Sequence, residues 1–269
     1  MKAELAERIV AAIILDVDSP ATDDFAGAGS KAADLIAAAE QYGSVSSERI
    51  WAAIAEYPEG AAFGVGRHWR SHRSVLDSVD EQLSPITEAL RRHVNLRSER
   101  SSWLLGELPT TPISDSLRRN AANLSLRGTW WVCPEGVPVT VDDDAVSEGE
   151  HFIRDDFQVR GVVKPVRIAA GARILEVNTG DDWCGLVSAY GVPSPVLTYD
   201  WGVRGSEDPW LPDWERVARD FDAVHVSISG FLRAAYRPIH LNGSAWTVLA
   251  GWHPGSTVWL RAPIICAGV

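Results

Sequence analysis

The sequence changes character at Leu126, and that break constrains the fold more than any other feature. Upstream, apolar residues recur at helical spacing. Leu5, Ile9, Ala12 and Ile13 form one stripe, and Ala33, Ile36 and Ala37 another. Ile50, Ile54 and Tyr57 form a third, and Val75, Val79 and Leu83 a fourth. Pro85 is placed to open a further helix carrying Ile86, Leu90 and Val94, because a missing N–H costs least in a first turn. Ser114 to Leu124 reads as a sixth. Downstream, short β-branched and aromatic runs appear between Gly, Pro and Asp: LRGTWWV, PVTV, GVVKPVRI, RILEV, AVHVSISGFL, WTVLAGW and TVWLRAPII. Short helices are expected at 181–190 and 214–221. The pattern predicts an α+β chain, with a helical region over 1–125 and a mixed, mainly antiparallel strand-rich domain over 126–269.

Composition narrows the function classes. The chain has 269 residues, 46% of them hydrophobic, which excludes collagen-like, disordered and disulfide-scaffold proteins. Its net charge of -11 repels phosphate backbones and disfavours general nucleic-acid binding. Cys133, Cys184 and Cys266 are widely spaced with no CxxC pair, so they read as small buried hydrophobes in a reducing compartment. No apolar run approaches the roughly 18–20 residues that a membrane helix needs. Residues 1–19 read as an amphipathic helix rather than a secretory signal, because Glu4, Glu7 and Arg8 interrupt the apolar run. A cytoplasmic protein is expected.

Local motifs exclude several chemistries. Gly27 to Lys31 (GAGSK) lacks the spacing and preceding strand of a phosphate loop and reads as a helix start. His68 and His72 share a helical face, but Trp69, Arg70 and Ser71 between them offer no acidic partner for a metal. The cations around Arg67–Arg73 and Arg91–Arg100 are interleaved with carboxylates and read as a self-neutralised surface. Neither a GxSxG elbow nor a GxGxxG turn occurs. Asp142, Asp143 and Asp144 read as a solvated loop.

The stretch from Asp222 to Leu232 is the most suggestive. Strict alternation would put Val224, Val226 and Ile228 on one strand face and His225, Ser227 and Ser229 on the other. His225 is the titrating candidate, since imidazole exchanges protons near neutrality. Nine of the 12 Trp follow residue 126, which points to core packing or to an aromatic-lined cleft. Trp130, Trp131 and Trp252 are the candidates to stack on a planar ligand. Asp222 reads as a strand-entry residue ranked below His225.

Arg127 in LRGTWWV, the strand–Gly turn–strand passage KPVRIAAGARILEV and the later FDAVHVSISG together resemble the ADP-ribosyltransferase-like fold. The resemblance implies a split β-sandwich that cradles NAD, with Arg127 gripping the cofactor. The strand face and the aromatics read above then place Ser227, Ser229, Trp130, Trp131 and Trp252 around a small-molecule or nucleotide ligand. Asp222, Glu176 or Asp200 would supply the anion that an oxocarbenium-like centre requires. In this chain Gly255, Ser256 and Thr257 stand where the family carries its Glu. A second reading therefore stays open, in which a non-catalytic binding or assembly protein keeps the fold and meets a protein partner through the helical region.

Overall fold

The computed structural model describes residues 80–95, 102–105, 108–122, 132–142, 164–194, 209–235, 237–262 and 264–266. The chain divides into two compact units, Met1–Arg97 with Tyr199–Val203, and Ser98–Thr198 with Arg204–Val269.

In the first unit, helix α1 spans Asp80–Asn95 and buries Leu83, Ile86 and Leu90 along one stripe. Pro85 lies inside this helix rather than opening it. The proline removes one ladder hydrogen bond, while the apolar stripe continues across it and favours an unbroken helix. The helices expected over 1–79 lie outside the described residues.

The second unit is α+β. Its strands are β1 (Ser102–Leu105), β2 (Val139–Asp142), β3 (Lys164–Ile168), β4 (Ile174–Val177), β5 (Gly191–Pro193), β6 (Trp210–Pro212), β7 (Ala223–Val226), β8 (Ile239–His240), β9 (Trp246–Thr247), β10 (Ser256–Trp259) and β11 (Ile264–Cys266). Seven of them form one sheet in the order β11-β3-β1-β2-β10-β7-β4, antiparallel throughout except for the parallel pair β4–β7. The pairs β5–β6 and β8–β9 are separate two-stranded ribbons. Among the described residues its helices are α2 (Ile113–Ala122), α3 (Gly180–Tyr190), α4 (Trp214–Asp220) and α5 (Ile228–Ala234). No described helix is long and apolar enough to cross a membrane.

Two sequence expectations need correction here. Ser102–Leu105 is a strand near the middle of the large sheet, in a stretch whose surroundings read as helical. An apolar run this short carries no periodicity that separates strand from helix. The strand expected through Leu232 stops at Val226, and Ile228–Ala234 is helix. Ser227 ends the strand by capping: its hydroxyl accepts from the Gly230 N–H at 3.0 Å and donates to the Val177 carbonyl at 3.3 Å. Phe231, Leu232, Ala234 and Ala235 are then buried at helical rather than alternating spacing. Ser227 and Ser229 therefore do not share a strand face with His225.

The expected helices after residues 180 and 213 form, each with a clear start. Thr179 and Asp182 make a reciprocal capping box at α3, and Asp213 accepts from the Glu215 and Arg216 N–H groups at α4. One sheet face is apolar: Val177, Val224, Val226 and Val258 are fully buried. Trp183, Leu186 and Val187 of α3, with Trp214 and Val217 of α4, are buried in the same unit. Cys133 is buried and Cys184 half-buried, both as thiols.

One close approach locks the parallel pair. A Cβ on Gly230 would run into the backbone carbonyl of Val177 at the end of β4. Backbone at both sides of the contact cannot yield as a flexible side chain would. Gly230→Ala should destabilise the protein by about 3 kcal/mol or more, read as a lowered urea midpoint. A midpoint within error of wild type would show that α5 shifts freely from β4.

Candidate functional site

β4 and β7 run parallel in a register that sets Glu176 opposite His225. Residues facing each other across strands share a sheet face. Continuing through the register, Thr257 of β10 faces His225 and Thr140 of β2 faces Thr257. A polar row, Glu176–His225–Thr257–Thr140, thus crosses four strands on the face opposite the valines. Its members arise from simple alternation: Glu176 interrupts an apolar ILEV strand, and His225 lies between Val224 and Val226.

The row is buried except at one end. His225, Thr257 and Thr140 are almost inaccessible, whereas the Glu176 side chain is 32% exposed. His225 Nδ1 and Glu176 Oε2 are 2.7 Å apart, a charge-assisted geometry. A carboxylate can only accept, so the neutral ring carries its proton on Nδ1 and proton acceptance belongs to Nε2. The Trp259 indole N–H donates to Thr140 Oγ1 at 3.0 Å and anchors the far end. This pair of groups can hold an anion beside a buried imidazole and pass a proton between them.

The other predicted residues fall elsewhere. Asp222 precedes β7 and acts as a joint. Its carboxylate accepts from the Arg173 N–H at 2.8 Å and lies 3.7 Å from both the Arg173 and Arg261 guanidiniums. Its carbonyl accepts from the Leu260 and Arg261 N–H groups. Trp252 is buried between Trp183 and Trp214, with ring centroids at 6.2 and 5.8 Å, in a tryptophan cluster of the core. Arg127, Trp130, Trp131 and Asp200 lie outside the described residues. Sequence reasoning passed over Thr257 and Thr140, whose only signal is a hydroxyl at the alternate positions of two apolar strands. Among the described residues no cluster of His, Cys, Asp and Glu could hold a metal ion.

The turn that feeds β10 carries a second buried histidine. His253 Nδ1 lies 3.0 Å from the Pro254 carbonyl, and the Ser256 hydroxyl donates to the His253 carbonyl at 2.6 Å. Gly255 follows with φ +70°, a left-handed conformation that favours glycine, and its N–H donates to the Val226 carbonyl at the end of β7. Burial holds the His253 imidazole neutral and pushes its pKa down to about 4, with the Pro254 contact opposing the shift. The unfolded chain takes up that proton near pH 6.5. Between about pH 6.5 and 4 the unfolded state therefore binds more protons, and stability falls as pH falls. The expected loss from this group is about 3 kcal/mol, complete below pH 4. Urea titrations of wild type and His253→Phe at pH 7 and pH 4 should differ by that component; parallel pH dependences would remove it.

No family model, curated protein or solved structure matches the chain.

Proposed function

We propose that the protein is a nucleotide-processing enzyme of the ADP-ribosyltransferase-like class, with NAD as its cofactor-substrate. The reading is supported above all by the 2.7 Å contact between Glu176 and His225, with the carboxylate partly open and the imidazole buried. A mixed, mainly antiparallel sheet accompanied by short helices is compatible with the split β-sandwich of that class. Glu176 takes the part of the anion that the class requires beside the ribose.

The chemistry follows from charge. When the bond between ribose and nicotinamide breaks, the pair of electrons leaves with nicotinamide and the ribose carbon becomes oxocarbenium-like. A carboxylate held beside that carbon stabilises the developing positive charge. His225 orients the Glu176 carboxylate through Nδ1, and the buried Nε2 is the ring atom assigned to take the proton of the acceptor hydroxyl or water once the acceptor reaches it. Arg127 is assigned to the cofactor phosphates, where a guanidinium fork matches the oxygens. Ser227, Ser229, Trp130, Trp131 and Trp252 are the remaining cofactor-binding assignments. Of these, Trp252 has the weakest support because it is packed among other tryptophans.

The near-complete burial of His225, at 4% exposure, favours a second reading. In it the polar row is internal packing, and the protein is a binding or assembly module with no turnover. Nicotinamide release from NAD separates the two. The enzyme reading expects NAD at about 100 times its Kd to add roughly 2.7 kcal/mol of stability. It expects Glu176→Gln to lower turnover by about 10²–10³ while that stabilisation persists. His225→Gln should lower turnover and alter its pH profile. Absence of both stabilisation and nicotinamide release, in folded wild-type protein, would establish the module reading instead.

A further inference from the structure

A cavity of about 540 Å³ lies beside the start of β7, where α2 and α4 meet the chain leaving β10. Its apolar wall includes Ile113 and Leu117 from α2, Ala218 from α4, and Leu260. Arg219 and Arg261 line the same cavity, with Glu215. The volume falls within the roughly 300–1,000 Å³ typical of small-molecule sites, and the lining has their usual character, apolar with a few polar groups.

We propose that this cavity binds a small monocarboxylate with an apolar body. The two arginines play different parts. Arg261 is held in place: its guanidinium lies 3.7 Å from the Asp222 carboxylate and donates to the Arg219 carbonyl at 3.0 Å. The Arg219 side chain makes no hydrogen bond or ion pair among the described residues. Arg173 also approaches Asp222, and it donates to the Arg219 carbonyl at 3.5 Å. Two guanidiniums, Arg173 and Arg261, therefore flank the Asp222 carboxylate, and both donate to the Arg219 carbonyl.

The charged groups lining the cavity are Arg219, Arg261 and Glu215; Asp222 takes up Arg261, which leaves the Arg219 guanidinium to meet an incoming anion. A single carboxylate suits the balance better than a multiply charged anion, which Glu215 would repel. Guanidinium forks match carboxylate oxygens, and the apolar wall removes a hydrocarbon body from water. The site is separate from the Glu176–His225 pair, so each can be tested without the other.

Calorimetric titration of the full chain with octanoate, below its micelle concentration, tests the proposal. Octanoate is expected to bind saturably with one site, and octanol and octylamine at least about tenfold more weakly. Arg219→Gln should weaken octanoate by a similar factor, Glu215→Gln should strengthen it, and His225→Gln should leave it unchanged. Ala218→Phe, or Ser114→Trp on the exposed first turn of α2, should abolish binding by filling the cavity. No saturable octanoate binding would overturn the proposal. So would octanol binding as tightly as octanoate, weaker binding by Glu215→Gln, or full binding retained in both filled variants with native circular dichroism.

Discussion

The pairing of Ile174–Val177 with Ala223–Val226 depends on backbone meeting backbone, because the first turn of the helix after β7 passes against the end of β4. A side chain at residue 230 would hold the two apart. With glycine there, the Ser227 N–H reaches the Val177 carbonyl at 3.1 Å and the Ser227 hydroxyl reaches the same atom. The strand ends, the helix begins and the parallel register is set by one small cluster of contacts. That register is what brings Glu176 to His225 across 49 residues of sequence.

Burial then determines what the polar side chains must do. β7 is inaccessible at every position, so a histidine in it needs a partner for each polar atom it hides. The Glu176 carboxylate meets that need on Nδ1. The threonines continue the same logic, with Thr140 accepting from Trp259 and Thr247 of β9 accepting from Trp183 at 3.2 Å. The Trp183, Trp214 and Trp259 indoles supply apolar area while their N–H groups are paired within the interior. The polar row is therefore compatible with a dense core rather than a defect in it.

The two ends of β7 are chemically distinct. Before the strand, Asp222 ties the start of β4 and the exit of β10 to it through main-chain and arginine contacts. This is the strand-entry role that its position suggested, and it draws the carboxylate into joining strands. After the strand, Ser227 and the Gly255 turn close the other end. The arginine-lined cavity thus lies beside the entry to β7, and the Glu176–His225 contact joins β4 to its interior.

Several features were legible in the sequence because local chemistry settles them. Thr179, Asp182 and Asp213 announce helix starts, and the expected helices begin there. The runs around PVTV, KPVRI, RILEV and AVHV carry enough β-branched residues to be strands. His225 stood out as the titrating group of an alternating strand, whereas Glu176 entered only beside Asp222 and Asp200 as an anion that the resemblance implied. Three matters were beyond local reading. The sequence VHVSISG alternates as well as any strand, yet Ser227 caps a helix, because only the fold supplies the Val177 carbonyl that its hydroxyl meets. Ser102–Leu105 carries too few residues for a period, and pairing with β2 and β3 makes it a strand. The partnership of Glu176 with His225 depends on strand order and register, which follow from how whole faces are buried rather than from either residue's neighbours. The sequence by itself determined which groups could carry charge and where the helices after Thr179 and Asp213 start. The tertiary structure alone decided which of those groups meet, because contact between distant residues is set by the packing of the elements that carry them.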